Sequence, residues 1–163
     1  MLNDSQANDE EALYTAVGSI VINWGVAEQA LVMISVMLLR SSGVNRPPKP
    51  RKIKALSERI EFIGKCFDAS PKLAELKNDA HNLLSDFKQL KERRDELIHG
   101  AIISSTPKDG SYHFAKLDFI NGHHYGREIK FDIKEYPGFL DEIHKLGEDS
   151  ARLAASLMKK LSL

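Results

Sequence analysis

One cysteine, Cys66, occurs in 163 residues. A single thiol excludes an internal disulfide and a thiol-rich metal site. A reducing, intracellular setting fits, and a cytoplasmic location is expected. Charge of one sign is also missing: 23 Lys and Arg face 23 Asp and Glu. No global field argues for a nucleic-acid or membrane partner, so any such case must come from a local patch. The N-terminal "MLNDSQANDEEAL" is polar and acidic, unlike a secretory leader. The longest apolar run, Ala30 to Leu39 with Ser35 inside it, is about half the length of a membrane span, and no membrane association is expected. Glycine-rich phosphate loops, serine–histidine–acid motifs and internal repeats are all absent.

What remains is an ordinary globular balance, 42% hydrophobic and 28% charged. The length suits one domain over residues 1–163, with a flexible polar tail at 1–9. Leu13, Val17, Ile20, Trp24, Leu31 and Leu38 recur at three- and four-residue steps, the spacing of one helix face. They predict a first helix from about Glu10 to about Arg40. Val32, Met33, Val36 and Met37 lie off that stripe. Such a helix is central in its own domain, covered by a second copy, or both.

"SSGVNRPPKPRK" breaks the pattern as a loop, basic and proline-rich over 41–50. Ile53, Leu56, Ile60, Ile63 and Phe67 mark a second helix. Ser70-Pro71 reads as N-cap and first-turn proline of a third. Its stripe is Leu73, Leu76, Ala80, Leu83, Phe87, Leu90, position 94 and Leu97, with Gly100 as the stop. Then the period changes. "AIISST", "SYHFAKLDFI" and "REIKFDI" are β-rich, separated by "PKDG" and by Asn121-Gly122, a hairpin turn signature. A last helix from about Lys134 to Leu161 turns Phe139, Leu140, Ile143, Leu146, Leu153, Leu157 and Leu161 inward. The expected fold is mainly α: an antiparallel four-helix bundle with a small antiparallel β-meander (101–132) inserted before the last helix.

Two stripes carry a charge where an apolar residue belongs. Carried past Trp24, the first lands on Glu28 and then Leu31; carried past Leu90, the third lands on Arg94 and then Leu97. A lone buried charge costs on the order of several kcal/mol, much of it recovered in a hydrogen-bonded pair. Glu28 and Arg94 are therefore expected to meet across the core or to line a polar cleft. A buried structural ion pair is one reading; a working site, where such costly charges concentrate, is the other. His99 follows Arg94 by five residues, about 140° around a helix, so the two share a face only if the last turn unwinds. Together they could grip a phosphate. Alone, His99 is also the kind of residue that stabilises the negative end of a helix dipole.

"RDELIHG", Arg94 to Gly100, resembles the signature of HEPN domains: an arginine, a polar residue (here Asp95), and a histidine after four to six intervening residues. Arg93 fits the looser spacing, but Asp95 in the polar slot points to Arg94. "NWGVAEQAL" in the first helix is similar to a tryptophan–glycine–glutamate patch of HEPN-like bacterial proteins. The resemblance implies a helical bundle that dimerises and brings two Arg/His sets into one cleft. Many members are metal-independent endoribonucleases, often toxins or phage-defence effectors with a cognate antitoxin; others are silent binding modules. The β insert departs from the minimal bundle.

For RNA cleavage the ribose 2′-OH is the nucleophile. His99 would serve as general acid–base, and Arg94 would hold the phosphate oxygens. Glu28 would orient Arg94 or hydrogen-bond His99, with Asp95 as a secondary polar contact. No cofactor and no metal is expected. His123 and His124, adjacent beside a turn, point to opposite faces, and His81, His113 and His144 are isolated; all five read as solvent-facing. No acid lies between Glu28 and Glu58, whereas Arg46, Lys49, Arg51, Lys52 and Lys54 do. That cationic loop could track RNA backbone or be a solvated linker; it has no base-stacking platform. Three readings stand at this point: a homodimeric endoribonuclease, a silent nucleotide- or protein-binding module, and a structural helical dimer.

Overall fold

The computed structural model describes residues 4–48, 53–108 and 111–162. It is mainly helical: α1 (Asp4–Arg40), α2 (Leu56–Ala69), α3 (Lys77–His99) and α4 (Tyr136–Leu161). A three-stranded antiparallel sheet, β1 (Ala101–Lys108), β2 (Ser111–Ile120) and β3 (His123–Asp132), is inserted before α4 in the order β1-β2-β3. The chain forms two compact units, Met1–Ile22 with Leu90–Glu142 and Asn23–Gln89 with Ile143–Leu163.

The second unit is a helical cluster whose core follows the 3.6-residue stripes. Trp24, Leu31, Ile34 and Leu38 of α1 are buried, as are Ile60, Ile63 and Phe67 of α2, Leu83 and Phe87 of α3, and Leu146, Leu153 and Leu157 of α4. Trp24 meets Phe87 edge-on at 5.6 Å, the geometry that ring quadrupoles favour. Ser35 and Ser150 are buried on these stripes, and each hydroxyl donates to the carbonyl one turn back, Leu31 and Leu146.

Local chemistry departs from expectation at the α2–α3 corner. Ser70 does not cap the next helix with its side chain. Its hydroxyl accepts from the Asn45 N–H at 2.8 Å and donates to the Asn45 carbonyl, clamping the α1–α2 loop. The chain then takes a 3₁₀ turn over Pro71–Leu76 before α3 proper begins at Lys77. At the start of α2, Glu58 accepts from the Lys54 and Ala55 N–H groups, satisfying donors that the first turn leaves open.

The first unit packs the N-terminal part of α1, the last turns of α3 and the start of α4 with the sheet. Its core is Leu13, Ala16, Ile20, Leu90, Leu97, Tyr112, Phe114, Ile129, Phe131 and Phe139. The expected tail at 1–9 is instead helical from Asp4. Polar composition is overridden by packing: the Tyr112 hydroxyl donates to the Asp9 carbonyl at 2.7 Å. Asn121 and Gly122 both have positive φ, 52° and 83°, as a two-residue hairpin turn requires. The sheet is longer than the β-rich runs: β1 continues through Pro107, and β3 begins at His123 rather than near Arg127. Of "PKDG", Asp109 and Gly110 lie outside the described residues.

Over Asn8–Arg40, α1 is long and apolar enough to cross a membrane by length and composition, a test that core helices also pass. The uninterrupted run understates this, because Ser, Asn and Gln interrupt it without adding charge. Between Glu11 and Arg40 the only charge is Glu28.

Candidate functional site

The last turns of α3 collect the charged residues. Arg94 donates to Asp95 Oδ1 at 2.7 Å, and Lys91, one turn earlier, bonds the other carboxylate oxygen. Asp95 is thus divided between two cations. Burial pushes its carboxyl up, but the Lys91 and Arg94 hydrogen bonds and charges outweigh burial and hold it below its usual value. Arg93 is occupied elsewhere: it bonds Glu135 at 2.6 Å and lies over the Phe139 ring, 4.5 Å from its centre.

His99 is exposed at the end of α3 and has no hydrogen-bond partner among the described residues. The helix does not unwind before it. Gly100 N–H bonds the Glu96 carbonyl at 3.1 Å, the ordinary i to i−4 contact. Arg94 and His99 therefore diverge by about 140° around the axis. Gly100 is not the left-handed stop expected of it; among described glycines only Gly122 has positive φ. It is glycine for room, because a Cβ there would sit 2.7 Å from the Glu96 carbonyl oxygen and 3.0 Å from Phe114 Cβ.

Glu28 belongs to the second unit. Its carboxylate faces Arg59 of α2 at 3.4 Å, and Arg59 also reaches the Lys54 carbonyl at 3.4 Å. Arg59 is buried, yet sequence reasoning did not single it out. The signal was present: Arg59, Phe62 and Cys66 are spaced by three and four, so Arg59 sits on an apolar stripe as Arg94 does.

Of the basic loop, Lys49, Arg51 and Lys52 lie outside the described residues. Lys54 is exposed. Arg46 is exposed too, and its guanidinium donates to the Leu39 carbonyl in the last turn of α1. A cation on terminal helix carbonyls is a capping arrangement. Two histidines are not simply solvent-facing: His81 meets Asp68 at 3.0 Å, and the largely covered His113 faces Glu128.

Other concavities offer less chemistry. A cleft of about 380 Å³ in the second unit is lined by Asp79, Asp86, Lys145, Asp149 and Arg152. Asp149 there is held by Lys145 at 2.8 Å and by Arg152. Burial, opposed only weakly by Arg46, pushes the Cys66 thiol up to about 11, so it is a poor nucleophile. Among the described residues no group of three or more His, Cys, Asp and Glu could hold a metal ion.

Compared with protein-family models, curated proteins and solved structures, the chain matches none.

Proposed function

We propose that the protein is an HEPN-type endoribonuclease in which Arg94 and His99 act on a phosphodiester. The observation that carries this reading is the arrangement at the end of α3. A half-buried arginine shares its carboxylate with Lys91, and an exposed imidazole lies five residues on. An incoming phosphate can take over Arg94 while Lys91 keeps Asp95 neutralised. Bidentate guanidinium contacts would stabilise the crowded phosphorane. His99 would move the proton between the 2′-OH and the departing 5′-oxygen. Arg93 is engaged by Glu135 and the Phe139 ring.

The angular separation of Arg94 and His99 favours a composite site in a homodimer, with the two copies facing one cleft. The apolar residues that α1 leaves exposed support such a partner: Tyr14, Val21, Ile22, Val26, Met33 and Val36. A role as toxin or phage-defence effector in the cytoplasm, with a cognate antitoxin, belongs to the same reading.

The second reading is a silent module that binds a nucleotide or a protein. It draws on the same helix geometry, because no described residue orients His99. The deciding experiment incubates the protein with RNA in EDTA beside His99→Ala. Cleavage that survives chelation, leaves 2′,3′-cyclic phosphates and disappears in the variant supports the nuclease. Cleavage unchanged in His99→Ala rejects it.

A further inference from the structure

β1 pairs with β2 only from Ala101↔Ala115 to Lys108↔Ser111. Beyond Ala115 the sheet continues as two strands alone, Lys116↔Arg127 through Ile120↔His123. A two-stranded ribbon is marginal in water unless something supports it. Its root is supported: Arg127 bonds Asp118 at 2.6 Å and Glu96 of α3 at 2.5 Å. Its tip is not. Phe119 is 66% exposed, Leu117 74% and Tyr125 53%.

The tip has a particular composition. Residues 119–126, "FINGHHYG", contain no acid, lysine or arginine. Phe119 and His124 are cross-strand partners on one face, their rings 4.9 Å apart and tilted by 49°. The next pair on that face is Leu117↔Gly126. A Cβ on Gly126 would touch nothing but Leu117, so the surface beside the rings is low and open. Flat rings next to a glycine suit a planar ligand better than the interdigitating knobs of a protein core.

The ribbon also stands beside the α3 terminus within the same unit. Gly100 lies against Phe114, and Ala101 pairs with Ala115. Phe119 is four residues further along β2, about 13 Å at the strand rise. The α3 contacts, Gly100 on Phe114 and Glu96 on Arg127, are on the face opposite Phe119, so a single strand running from His99 to the ring passes around the ribbon's edge. Lys130, exposed on the same face, can meet its backbone; Glu128 on that face is engaged by His113.

The geometry points to a base-stacking platform: the Phe119–His124 face of the β2–β3 ribbon holds an unpaired base of single-stranded RNA. This rests on the nuclease reading for its choice of ligand. It supplies the platform that the basic loop lacks.

The test is fluorescence anisotropy with a fluorescein-labelled, unstructured single-stranded RNA, using full-length protein in a His99→Ala background so that the probe survives. Phe119→Ala is expected to weaken binding about tenfold, with a larger loss when His124→Ala is added, and Phe119→Trp to restore it. Circular dichroism melts should be unchanged, because the side chain is exposed. Binding unaltered by Phe119→Ala and His124→Ala overturns the proposal. So does a fall in molecular mass by light scattering in those variants, which would make the ribbon an arm between protein chains. Phe119-dependent binding without cleavage in the parent protein would remove the nuclease and keep the platform. Cleavage with Phe119-independent binding would do the reverse.

Discussion

Two arginines interrupt apolar helix stripes, one in each unit, and they are held differently. Arg59 is buried and leans on two oxygens from elsewhere in the chain, Glu28 and the Lys54 carbonyl, each at 3.4 Å. Both contacts are longer than a good hydrogen bond. Arg94 is bonded at 2.7 Å by the next residue of its own helix, a carboxylate it shares with Lys91. The Arg59 arrangement ties α1 to α2, so losing it loosens packing. The Arg94–Asp95 bond joins neighbours on one helix, so an anion that displaces that carboxylate breaks no helix–helix ion pair. A charge on an apolar stripe is thus ambiguous by itself, and the distance along the chain to its partner separates the two cases.

The sharpest way to break that contrast is to remove each guanidinium. Arg94→Ala is expected to lower RNA cleavage by about 100-fold or more, the scale of losing a preorganised donor to a developing charge. Its urea midpoint should move less than that of Arg59→Ala, because the Asp95 carboxylate keeps Lys91. Arg59→Ala should do the opposite: near-parental cleavage, and a stability loss of about 1–3 kcal/mol. Glu28 is about one-third exposed, so water screens the charge left behind and the lower part of that range is favoured. Equal losses of cleavage in the two variants would erase the distinction.

A second test concerns the junction that carries His99. Gly100→Ala places a methyl against the Glu96 carbonyl and Phe114, both part of the packed framework. Relief requires the end of α3 to move from β2, at about 1–3 kcal/mol by the usual cost of overpacking. Gly122→Ala has open space around the Cβ but a φ of 83°. Its cost is conformational, about 1 kcal/mol, and confined to the hairpin. Thermal melts of both variants, with cleavage as a second readout, should show activity falling with the first and not with the second.

Much of the helical architecture was legible in the sequence, because burial on one side of a helix writes a 3.6-residue period. Trp24, Leu31, Phe87 and Leu157 are where that period puts them. The first turns of α1 were not legible: residues 4–9 are mostly polar, and the contact that ties down Asp9 comes from Tyr112, more than a hundred positions away. The start of β3 was missed for a related reason. "HHYG" lies in the unsupported ribbon, exposed on both faces, so no alternation of polar and apolar residues marks it as strand. At the candidate site, Arg94, Asp95 and His99 were found as a motif, and Lys91 follows from i,i+4 spacing. The engagement of Arg93 by Glu135 and Phe139 depends on tertiary folding. Arg59 was open to the same stripe argument as Arg94 and went unread.

The smallest effect distinguishes the two arginines through acid. Asp95 has its carboxyl held below the ordinary value by Lys91 and Arg94 against the push of burial. A carboxylate whose folded value is depressed stabilises the native state at pH above its unfolded value, about 3.9. That contribution disappears as pH falls through the lower, folded value. With Lys91 about 41% exposed, screening limits it to about 1 kcal/mol or less. Asp95→Asn should therefore differ from the parent by a small constant amount at neutral pH, and the difference should shrink below about pH 4. Urea midpoints across that range measure it. A gap that persists in acid would mean that Asp95 acts by packing or neutral hydrogen bonding, and that Arg94 is no more exchangeable than Arg59.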